Sequence, residues 1–141
     1  MQKKIITTTA LLFAGALLFT GCATSTTDGA SGDDNCEVVR VAVRDISNGA
    51  QNAIATAADQ SLTETLEGYS KRLDELAADN ADNADLTKAI EGVQEKVVAA
   101  EDYAATLPAE ATEDFTPDAD AQATASGDIQ AAAVTVTEVC K

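Results

Sequence analysis

Val39-Arg40-Val41-Ala42-Val43-Arg44 is the stretch on which the fold of this chain turns. Its residues alternate apolar and polar, and three of them are β-branched, which suits one face of a strand. Val134-Thr135-Val136-Thr137 near the other end of the chain alternates in the same way. A wider window changes the reading. Cys36, Val39, Val43, Ile46, Ala50, Ala53 and Ala57 recur at intervals of three and four, the signature of one helix face. That pattern runs on for three turns beyond the valines, so a helix is the expectation. A short antiparallel pair of terminal strands added to helices is the alternative.

The residues that follow predict three more helices. Ser61 reads as an N-cap with Glu64 completing a capping box, and Leu62, Leu66, Tyr69, Leu73 and Leu76 repeat with heptad spacing. The stretch from Asp79 to Asp85 is rich in Asp and Asn, which bond their own backbone and favour turns, so it reads as a connector. Its acids fall three apart, whereas an EF-hand places ligands at alternate positions and adds a Gly and a distal Glu. Leu86-Thr87-Lys88-Ala89-Ile90-Glu91-Gly92 then repeats Leu62-Thr63-Glu64-Thr65-Leu66-Glu67-Gly68 at an offset of 24. Two copies are too few for a solenoid. The repeat reads as two antiparallel neighbours solving one packing problem, with Leu86, Ile90, Val93, Val97 and Ala100 as the second core stripe. Residues 109–116, bracketed by Pro108 and Pro117, form an acidic connector. Thr116 as N-cap, Pro117 at the first helical position, and Asp118 and Asp120 in the first turn would start the fourth helix. Ile129, Ala132, Val136 and Val139 would be its buried face. Gly49, Gly68, Gly92 and Gly127 fall one to a helix and off the core stripes, which suggests close approach or a bend, with a ligand groove as the lesser reading.

Ahead of these helices, Lys3 and Lys4 precede an apolar run from Ile5 to Phe19, then Thr20, Gly21 and Cys22. This is the basic, apolar and small-residue order of an export signal. The segment resembles a bacterial lipoprotein signal, with Phe19 standing where that family usually has Leu. The resemblance implies cleavage between Gly21 and Cys22 and a thioether-linked diacylglycerol on Cys22. Ordinary secretion, with cleavage after Ala23, is the competing reading. Ile5 to Phe19 holds three threonines and is shorter than the ~20 apolar residues a spanning helix needs. Domain organisation then reads as a signal over 1–21, a lipidated cysteine and flexible tether over 22–35, and a helical bundle over 36–141.

Composition narrows the function classes. Residues 1–21 contain two lysines and no acid, so their removal moves the formal net charge from −15 to −17. Such a chain lacks the basic footprint of a nucleic-acid binder. It is also repelled by anionic lipid, so membrane attachment would rest on the acyl chains. With Cys22 lipidated, the remaining cysteines are Cys36 and Cys140, and in an oxidising extracytoplasmic setting they are expected to form a disulfide. An even number of antiparallel helices brings the start of the first and the end of the last to one end of a bundle, where three helices would separate them. The expected fold is therefore all-α, an up-down four-helix bundle closed by a terminal disulfide.

No residues suggest catalysis. The chain has no His and no Trp, no phosphate loop and no nucleophile beside a base. Asp33-Asp34, Asp74-Glu75 and Glu101-Asp102 read as solvated carboxylates, since general acid catalysis needs burial to raise a pKa. No catalytic, cofactor-binding or metal-binding residue is assigned. Residues 36–141 are similar in composition to small, alanine-rich, disulfide-closed helical lipoproteins and secreted proteins of high-GC Gram-positive bacteria. The expectation is a membrane-anchored envelope lipoprotein acting as a binding or structural module. The alternative is a freely secreted acidic protein that binds or inhibits a basic partner.

Overall fold

The computed structural model describes residues 32–141. Four helices fill most of that span: α1 (Gly32–Thr56), α2 (Ser61–Asp79), α3 (Ala84–Ala104) and α4 (Ala119–Val139). Val39–Arg44 lies inside α1 and Val134–Thr137 inside α4, and no strand occurs among the described residues. The terminal strand pair is thereby excluded. Burial decided against it: Val39, Val43 and Ile46 are all covered, a spacing that a period of two cannot produce. The Cys36–Cys140 disulfide joins the first turns of α1 to the end of α4, with 5.2 Å between the Cα atoms.

The helices pack as a ring in chain order, α4 returning against α1. The core is one cluster. Val39, Val43, Ile46, Ala50 and Ile54 come from α1, and Leu62, Leu66, Leu73 and Ala77 from α2. The expected α3 stripe, Leu86, Ile90, Val93, Val97 and Ala100, is buried throughout and is extended by Tyr103 and Ala104. The repeated residues of α2 and α3 do the same work, since Leu62, Leu66 and Leu73 and their counterparts Leu86, Ile90 and Val97 all face the core. α4 has the thinnest contribution, burying Ile129 and Val136 along its length.

Several details depart from the sequence expectation. α1 starts at Gly32, so residues 32–35, assigned to the tether, belong to the helix. Asn35 Nδ2 donates to Asn80 Oδ1 at 2.6 Å, which ties the extra turn to the α2–α3 connection. Toward the end of α1 the buried face moves to Ile54, leaving Ala53 and Ala57 half-covered, because the bulkier side chain one position on fills more of the core. Tyr69, Leu76 and Ala132 are likewise half-covered. Val139 is 38% exposed, since the disulfide draws the next residue, Cys140, inward instead.

The caps also differ. Ser61 does not cap α2; the preceding residue is Gln60, whose side chain makes no cap bond, and Asp59 Oδ1 accepts from Ser61 N at 2.9 Å. Gln60 is committed elsewhere, its N–H donating to Pro108 O and its Nε2 to Leu107 O, both at 3.0 Å. At α4 the cap is Asp118 in place of Thr116, accepting from Asp120 N at 3.0 Å and Ala121 N at 3.1 Å. A carboxylate is the stronger acceptor at a positive helix end, which moves the start two residues along. Asn83 caps α3 by accepting from Leu86 N at 3.1 Å. Of the helical glycines, Gly49 is the one approached closely: a Cβ there would sit 2.7 Å from Tyr69 Cζ, so the half-covered Tyr69 ring would have to move. At Gly68, Gly92 and Gly127 a Cβ would meet nothing within 4 Å, so close approach within the chain does not explain those three.

Candidate functional site

The two ends of the bundle differ in chemistry, and the difference is built from single residues. At the disulfide end Asn80, 2% exposed, is the hub of the closure. It receives the Asn35 amide on its side-chain oxygen and donates its own amide to Leu76 O at 2.7 Å. Its backbone carbonyl accepts from Thr87 Oγ1 at 2.8 Å and from Asn83 N at 2.9 Å. A buried amide bonded through both its oxygen and its nitrogen is held in one orientation, so this network fixes the α2–α3 turn against the start of α1. Cys36 and Cys140 stand where the sequence placed them, and the bond between them removes both thiols from reactive chemistry.

The opposite end is acidic. From Thr106 to Asp120 the chain carries Glu110, Glu113, Asp114, Asp118 and Asp120 with no Lys or Arg, and from Val97 to Cys140 there is no cationic residue at all. Asp59 of the α1–α2 turn belongs to the same end. Its carboxyl is held below the ordinary value, first by the Ser61 hydroxyl and then by the Ser61 N–H. The loop of residues 105–118 is fastened by Gln60, and the first turn of α4 is fastened to α1 by Gln122 Nε2 donating to Ile54 O at 2.7 Å. Beneath it lies Tyr103, 6% exposed, whose hydroxyl has no hydrogen-bond partner. Burial and then the nearby Asp118 carboxylate push that hydroxyl's pKa above its usual value.

Along the side of the bundle, α3 and α4 border a groove of about 690 Å³, with Ala89, Gly92, Ala131 and Ala132 among its lining residues. Lys88 and Lys96 line its α3 wall and Asp128 its α4 wall. A groove is the lesser of the readings that Gly92 offers in the sequence, and the alanines around it, at helical spacing, read equally well as thin core.

Of the paired carboxylates, Asp74 and Glu75 are exposed, with Asp74 Oδ1 accepting from Gln94 Nε2 at 2.6 Å, and Asp102 is exposed beside a half-covered Glu101. Nothing draws any of these pairs into a pocket. Among the described residues no group of three or more His, Cys, Asp or Glu side chains is placed to hold a metal ion. None of the described helices is long and apolar enough to cross a membrane. Cys22, the expected lipidation site, lies outside the described residues.

The fold and surface thus define an acidic, disulfide-closed four-helix bundle. No protein-family model matches the chain, and no curated protein or solved structure is detectably similar to it.

Proposed function

We propose that this protein is an exported lipoprotein. It is held at the extracytoplasmic face of the cell membrane through Cys22, and its bundle serves as a binding or structural module of the envelope with no catalytic role. The observation that supports this reading is the Cys36–Cys140 disulfide, because a bond that closes almost the whole domain belongs to an oxidising compartment. It agrees with the basic, apolar and small-residue order of residues 1–22. The second reading, a freely secreted acidic protein for a basic partner, draws on the cation-free stretch from Val97 to Cys140. Such a partner would associate at a rate that falls steeply with added salt.

Cell fractionation separates the two. With lipid anchoring, wild-type protein sediments with membranes, and Cys22→Ser moves it to the medium or leaves an uncleaved precursor. Wild-type protein free in the medium with Thr24 as its first residue would establish ordinary secretion instead.

A further inference from the structure

We draw no further inference here: the strongest candidate, the groove between α1 and α4 lined by Arg40, Arg44 and the exposed Val134, is an unpartnered face, and nothing in the structure shows what covers it.

Discussion

Tyr103 carries the one buried side-chain polar atom among the described residues without a partner, and that hydroxyl offers a clean measurement. A buried hydroxyl left unpaired costs on the order of 1 kcal/mol, so Tyr103→Phe should raise the melting temperature by about 4 °C at neutral pH. The pH dependence has a definite sign. The pKa of Tyr103 is higher folded than unfolded, so its contribution is fully present below the ordinary tyrosine value near 10 and is lost as pH rises through the folded value. Wild type should therefore lose stability above about pH 10 more steeply than Tyr103→Phe, which thermal melts of the two proteins across that range would show. Equal slopes would mean that the hydroxyl ionises as freely in the folded state as in the unfolded one.

Among the elements, α4 is the least secured, and its start depends on one side chain. Asp118 satisfies two of the helix's free amides, while the helix behind it is rich in alanine and buries only Ile129 and Val136 well. Asp118→Ala should cost about 1 kcal/mol and lower the melting temperature by about 5 °C. Faster amide exchange should appear first at Asp120 and Ala121, and spread of the change to α2 would show the cap to be coupled to the whole bundle. Helix identity was legible here because the apolar residues repeat at three and four over whole turns, long enough to outweigh the β preference of Val39, Val41 and Val43. The caps were less legible. Ser61 and Thr116 are good capping residues by type, but Asp59 and Asp118 stand two residues from them and accept instead, Asp59 from Ser61 N and Asp118 from Asp120 N and Ala121 N, a choice settled by backbone geometry. Val139 was misread for a similar reason, since periodicity cannot anticipate that a covalent bond at Cys140 sets the rotation of the last turn. The acidic end could be counted from the sequence once four antiparallel helices were assumed. The α3–α4 groove could not, because a small residue facing a neighbour and one facing an open channel look alike.

For the molecule as a whole, the disulfide is the main device against a thin core and a strong self-repelling charge. It closes a span of 104 residues, for which chain entropy assigns about 4–5 kcal/mol. Cys36→Ser, Cys140→Ser, or reduction of the wild type should lower the melting temperature by at least about 10 °C, and added salt should recover part of the loss by screening the carboxylates. Intact-mass measurement after alkylation without reductant tests the bond directly: the folded protein should leave Cys36 and Cys140 unlabelled. Two labelled thiols there would remove the bond and most of the stability assigned to it.

The same bond changes what a protease can accomplish. Covalently the domain is close to a circle, with Cys36 and Cys140 as its clasp and the exposed segment after Leu107 on the far side. A single cut in that segment opens the circle into one longer linear piece, still a single molecule and still packed along four helices. Severing the C-terminal helix from the other three takes a cut and a reductant together, so in an oxidising environment a nicked domain keeps all of its parts.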